Sequence, residues 1–278
     1  MNRDFALLIG INEYPSAELA GCIPDVKRGC DNLPAPGLIK AGIGLNWDCL
    51  DACTDDRAHA EGMRNRLARL VAGAAPGDRL LFWYSGHGAQ IPTRDGLGEV
   101  DGMFETLCPY DFDFDDPDTW LTDVDFAEIF GGLADGVSCT IVLDSCFSGG
   151  MPESVRALGQ TERARAWPRL DRVDFLVRRR AAGVRGITIR QVGDQIIRKA
   201  AIVSACLEHE TATDAIINGY PNGALTYYFW EAILEDFSRS LRAQVDVALQ
   251  KLRKAGYSQT PVVTGPDALL DAPFLTRL

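Results

Sequence analysis

Five short stretches of this chain are apolar almost from end to end: Phe5–Ile11, Arg79–Ser85, Ser138–Asp144, Ala200–Ala205 and Pro261–Thr264. A strand with one face in water alternates apolar and polar residues, whereas a continuous apolar run bounded by Gly and Pro is buried on both faces. That pattern calls for a mostly parallel sheet covered by helices on each side. Helical patterns lie between the runs. Thr54 stands ahead of a segment in which His59, Met63, Leu67, Leu70 and Val71 recur at helical spacing, until Pro76-Gly77-Asp78 breaks it. Thr122 to Asp125 resembles a capping box ahead of Phe126–Leu133. Residues 222–237 and 239–255 read as two late helices, the second ending at Gly256. Strands alternating with helices define an α/β fold, and in such sheets ligands bind at the carboxyl ends of the strands.

At 278 residues the chain can bury a full core without disulfide or metal staples. No stretch is apolar for the 18 residues or so that a membrane helix needs, and the opening residues lack a secretory signal pattern. A net charge of −11 argues against general nucleic-acid binding. The eight cysteines form no Cys-x-x-Cys pair, so reduced, buried thiols in a cytoplasmic protein are expected, with no zinc site. Residues 151–199 break both the strand pattern and the acidic balance, with twelve Arg and Lys against five Asp and Glu. The expectation is a single domain over 1–278, in which 1–150 and 200–278 flank this basic Arg-rich linker.

Two strand ends carry the chemistry. The run ending at Tyr84 continues into Ser85-Gly86-His87-Gly88, and the run ending at Leu143 continues into Asp144-Ser145-Cys146-Phe147-Ser148-Gly149-Gly150. Each places a reactive side chain just past a buried strand, among glycines that permit tight turns and close approach of a substrate. A Cys and a His on neighbouring strand ends can act as nucleophile and acid/base. Backbone N–H groups in such turns can stabilise an oxyanion.

Tyr84 to Gly88 and Asp144 to Gly149 resemble the two signature motifs of metacaspases and bacterial orthocaspases, the caspase-like cysteine peptidases. The resemblance extends to the first strand at Ala6–Asn12, to Leu19–Asp25 (with Pro24 where the family has Asn), and to Ser204–Cys206, Thr211–Asp214 and Asn222–Thr226. It implies a caspase-like three-layer sandwich with about six central strands. It further implies that Cys146 attacks the scissile carbonyl, that His87 protonates the leaving amine and then activates water, and that the N–H groups of Gly88 and Cys146 hold the oxyanion. By motif position the primary specificity pocket contains Cys22, Asp25, Ser85 and Asp144. Two carboxylates there suit an Arg or Lys side chain. An Arg/Lys-specific endopeptidase with a linker full of arginines is expected to be a zymogen cut in that linker, by itself or by an activating protease. Arg163, Arg165, Arg178, Arg179, Arg180 and Arg185 are the candidate processing sites.

Many members of the family bind calcium through four acidic side chains. By motif position these fall here on Phe104, Asp123, Val124 and near Glu153. Apolar residues at two of the four leave too few oxygens for the ion, so no cofactor is expected. The run Asp111–Asp116 lacks the glycine and the distal acid of a calcium loop. The expected partners are protein or peptide substrates with Arg or Lys at the cleavage site, together with an activating protease or effector protein. A monomer with no prodomain and no nucleic-acid or membrane partner is expected. The competing readings are a catalytically silent scaffold on the same fold, or a caspase-clan peptidase of different specificity.

Overall fold

The computed structural model describes residues 2–15, 17–46, 49–92, 103–145, 163–165, 196–207 and 210–278. Cys146, Glu153, Arg178, Arg179, Arg180 and Arg185 lie outside the described residues.

The strands in chain order are β1 (Asp4–Gly10), β2 (Leu50–Thr54), β3 (Arg79–Ser85), β4 (Gly88–Pro92), β5 (Met103–Leu107), β6 (Leu121–Thr122), β7 (Ser138–Asp144), β8 (Arg163–Ala164), β9 (Ala200–Ser204), β10 (Thr213–Ile217), β11 (Tyr220–Gly223) and β12 (Val262–Thr264). Six of them form the central sheet in the order β12-β9-β7-β3-β1-β2. All its pairings are parallel except β12 with β9 at one edge. This is the expected sandwich. The register sets the height of the strand ends: Gly10 pairs with Ser85, and Ser85 pairs with Asp144. The carboxyl ends of three adjacent strands therefore finish level.

Side chains alternate between two cores, as the pleat requires. Leu7, Ile9, Phe82, Tyr84 and Ile141 face one way, toward α3 (Ala60–Val71) and α4 (Asp123–Gly131). Ala6, Leu8, Leu81, Trp83 and Val142 face the other. They meet α1 (Cys22–Asn32), α5 (Ala224–Glu235) and α6 (Leu241–Lys254); α2 (Pro36–Lys40) and α7 (Asp267–Leu270) are short. Trp83 stacks on Trp230 of α5 with ring centroids 5.5 Å apart. Burial on both faces is why these strands read as unbroken apolar runs.

Local signals account for the helix starts, with two adjustments. The Thr122–Asp125 capping box is present at α4. At α3 the cap is His59, whose side chain accepts from the Gly62 N–H, because Asp55–Ala58 form a 3-10 turn between Thr54 and the helix. Asn222 belongs to the β10–β11 hairpin, so α5 begins at Ala224. Two small antiparallel sheets, β4-β5-β6 and β11-β10-β8, carry no continuous apolar run and so go unmarked in the sequence. They sit just beyond the strand ends that carry the signature residues. Among the described residues no helix is long and apolar enough to cross a membrane.

Gly10 lets α1 approach β1. A Cβ there would press on the Cys22 carbonyl oxygen and come within 2.7 Å of Val26 Cγ2. Gly10→Ala is expected to cost about 3 kcal/mol by pushing α1 off the sheet, measured as a lower urea midpoint with an unchanged m-value.

Candidate active site

The chain leaves β3 at Ser85 and turns through Gly86 to His87. Two buried phenols brace that turn. The Tyr14 and Tyr84 hydroxyls lie 3.2 Å apart, and the His87 N–H donates to Tyr14 Oη at 3.1 Å. Tyr84 Oη lies 2.8 Å from the His87 carbonyl oxygen, and Tyr14 Oη lies 3.0 Å from that of Cys108. Gly86 must be glycine, since a Cβ would fall 2.7 Å from Tyr14 Oη.

The imidazole is buried and tilted against the Tyr14 ring at a centroid distance of 4.6 Å. Its Nε2 bonds to the main-chain oxygen of Ala17 at 2.5 Å. A carbonyl oxygen only accepts, so Nε2 carries the proton and Nδ1 is the ring atom suited to exchange protons with a substrate. Burial pulls the His87 pKa down to about 4, against hydrogen bonding from the main chain of Ala17 and Arg165. At neutral pH the ring is therefore uncharged, as a base must be.

Beside this turn the structure brings together the four expected pocket residues and one that was not expected. Asp25, on the first turn of α1, accepts the Gly223 N–H on both carboxylate oxygens, at 2.9 and 3.1 Å. Asp144, at the end of β7, accepts the N–H and hydroxyl of Thr226 on Oδ2, at 2.9 and 2.7 Å. Ser85, between the strands that carry Gly10 and Asp144, is fully buried, as is Cys22. Burial pushes the Cys22 thiol well up, with the nearby carboxylates adding to the effect and Arg165 opposing it. The unexpected group is Asp214 on β10, whose carboxylate accepts the N–H groups of Ala20 and Gly21 at 2.8 and 2.9 Å.

Asp25, Asp144 and Asp214 surround one cation, and it comes from the linker. Arg165 is fully buried. Its Nη2 donates to Asp25 Oδ2 at 2.8 Å and to Asp214 Oδ1 at 3.0 Å. Its Nη1 donates to the main-chain oxygen of Asp144 at 3.0 Å and lies 3.5 Å from Asp144 Oδ2. Burial opposes its charge, but Asp144, Cys22, Asp25 and Asp214 outweigh that and raise its pKa well above the usual value. The acids are in excess, so burial and Asp144 push Asp25 up to about 7, against Arg165 and the Gly223 N–H.

The backbone of Arg165 is held as firmly as its side chain. Its N–H donates to the Ala212 oxygen at 3.0 Å, and its carbonyl oxygen accepts the Gly88 N–H at 3.1 Å. Arg163 and Ala164 pair antiparallel with Asp214 and Thr213. Residues 163–165 thus lie as an added strand on β10, a standard way to present a peptide to an enzyme. Among the described residues no group of three or more His, Cys, Asp or Glu could hold a metal ion. Asp123 and Val124 open α4.

A six-stranded, mostly parallel sheet of this order, covered by helices on both faces, is the caspase-like fold. Solved structures of similar shape agree. A Geobacter sulfurreducens protein matches with a TM-score of 0.68 and 21% identity over 99% of both chains. Caspase-1 from Spodoptera frugiperda matches with a TM-score of 0.50 and 10% identity, covering 95% of this chain and 86% of that one. The family model for the metacaspase, peptidase C14 domain matches residues 5–154. Among curated relatives, Metacaspase-9 of Arabidopsis thaliana is 27% identical over 100% of this chain and 98% of its own length. Metacaspase-2 of Trypanosoma brucei brucei is 28% identical over 97% of this chain and 75% of its own. The chain belongs to the metacaspase family and is a cysteine-type peptidase of the caspase clan.

The depressed His87 pKa has a consequence for stability. Between pH 6.5 and 4 the unfolded chain binds a proton at His87 that the folded chain refuses, so stability falls as pH is lowered through that window. In a Cys146→Ala background, acidification over this range is expected to cost about 3 kcal/mol more with His87 than with His87→Gln. Urea unfolding at the two pH values measures the difference.

Proposed function

We propose that the protein is an endopeptidase that cuts after Arg or Lys with a Cys146–His87 dyad, and that it first cuts itself after Arg165. The observation that carries this reading is the seating of Arg165: guanidinium among Asp25, Asp144 and Asp214, carbonyl oxygen on the Gly88 N–H. A side chain in a specificity pocket together with its carbonyl on an oxyanion donor is the geometry of a bound substrate. It supports Cys22, Asp25, Ser85 and Asp144 as the pocket, and Gly88 with Cys146 as the oxyanion hole.

The chemistry follows from the groups. Nδ1 of neutral His87 takes the Cys146 thiol proton as the sulfur adds to the Arg165 carbonyl carbon, which leaves an imidazolium, and the oxyanion rests on the Gly88 and Cys146 N–H groups. The intermediate collapses as the C–N bond to Ala166 breaks, with the amine taking a proton from His87. Neutral His87 then removes a proton from water, hydroxide attacks the thioester, and the Arg165 carboxylate leaves as the thiol reforms. Each step runs within one chain, so a monomer suffices. None of it uses a metal ion, and the apolar residues at Phe104 and Val124 support a calcium-independent enzyme.

Intact-mass analysis of the purified protein tests this. Wild type is expected to give two fragments, the first ending at Arg165 and the second beginning at Ala166, with or without calcium. Cys146→Ala and His87→Ala are expected to stay whole, and Arg165→Ala to lose this cut. A wild-type chain that remains intact, and that leaves Arg- and Lys-ending peptides uncut after deliberate nicking of the linker, would favour a silent scaffold. Faster cleavage of Asp-ending peptides would favour a different specificity.

A further inference from the structure

We infer that Asp214 makes this pocket a guanidinium clamp, so that the enzyme selects arginine over lysine. The inference rests on reading the pocket as the site for the residue before the cut. It goes further by naming one cation and the residue that chooses it.

Reach and rigidity make the selection. Every acceptor facing Arg165 is addressed through the outer Nη atoms: Asp25 and Asp214 by Nη2, and the Asp144 main-chain oxygen by Nη1. A lysine nitrogen ends one bond earlier along the side chain, about where Arg165 Cζ stands, roughly 1.3 Å short of those atoms. The peptide cannot slide inward to make up the difference, because Arg165 is held on both sides by Ala212 and Gly88. Nor can the carboxylates close in. Asp25 is tied to the Gly223 N–H, Asp144 to Thr226, and Asp214 to the Ala20 and Gly21 N–H groups. An ammonium ion, a point charge with three donors, would leave part of this fixed acceptor set to water, whereas the planar fork matches it.

Asp214 decides the shape of the clamp. Asp25 and Asp214 take the two protons of the same outer nitrogen, Nη2, from two directions, so Asp214 adds a second anchor at the depth that a lysine nitrogen falls short of. Gly223 makes room for that plane. A Cβ on Gly223 would lie 2.5 Å from Asp25 Oδ2 and 2.7 Å from Arg165 Cζ. Gly21 similarly lets Asp214 sit against the chain ahead of α1.

Two comparisons test the clamp without altering Asp214, so neither depends on whether an Asp214 variant folds. The first reads the pocket in cis and needs no catalysis. In Cys146→Ala protein, Arg165→Lys is expected to lower the melting temperature nearly as far as Arg165→Ala does. The second measures kcat/KM of wild type for two peptides that differ only in Arg or Lys before the cut. A preference for Arg of about 100-fold is expected. Asp214→Asn should then reduce that ratio by about tenfold or more, chiefly through the Arg peptide. Melting temperatures that match for Arg165 and Arg165→Lys would overturn the clamp. So would equal cleavage of the two peptides, or an Asp214→Asn variant that slows both peptides alike. Failure to cut either peptide, with the melting difference intact, would remove the peptidase reading and leave the clamp standing.

Discussion

The level finish of three parallel strands is the constraint on which the rest of this molecule depends. Because Gly10, Ser85 and Asp144 are paired across β1, β3 and β7, the chain leaves the sheet at one height in three adjacent places. The first exit leads to the loop carrying Ala17 and on to Asp25. The second leads to His87 and the third toward Cys146. The register itself is enforced by two-sided burial, since a one-residue slip would exchange the side chains of the two cores. The packing of Trp83 on Trp230, with the Trp83 indole N–H donating to the same Thr226 hydroxyl that bonds Asp144, thereby helps fix where His87 and Asp144 stand.

On that frame the site is an arrangement of charge that would be unstable without its cation. Three buried carboxylates held by main-chain N–H groups are costly to keep together, and a fully buried guanidinium would be costly alone. Each makes the other tolerable. The same seating that sets a cation among the carboxylates also brings the Arg165 carbonyl to Gly88 and to the edge of the imidazole. His87 remains uncharged beside it because burial outweighs everything else acting on the ring.

The sheet and most of the buried acidic cluster beside His87 were legible in the sequence because both leave side-chain signatures. Continuous apolar runs mark strands buried on both faces, and Ser85, His87 and Asp144 stand at their ends. What was missed acts through the backbone or through short polar segments. The Ala17 oxygen and the Gly223 N–H have no compositional mark. Tyr14 lies in a stretch without periodicity, though its hydroxyl braces the histidine turn. Asp214 sits in a five-residue strand whose hairpin partner contains Pro221 and Asn222, residues that read as loop. The sequence could nominate Arg165 only as one of several linker arginines. What distinguishes it is where the linker meets β10, a contact between segments remote in the chain.

The lacing of the pocket has a mechanical consequence. Asp25 and Asp144, from the first part of the chain, are tied to Gly223 and Thr226 from the last, while Asp214 from the last part is tied back to Ala20 and Gly21. The stitches run in both directions across the linker, and β9 adds a full strand ladder along β7. A break after Arg165 severs none of them. Two pieces made by such a break would stay joined as one body, and neither could depart without pulling the acidic cluster apart.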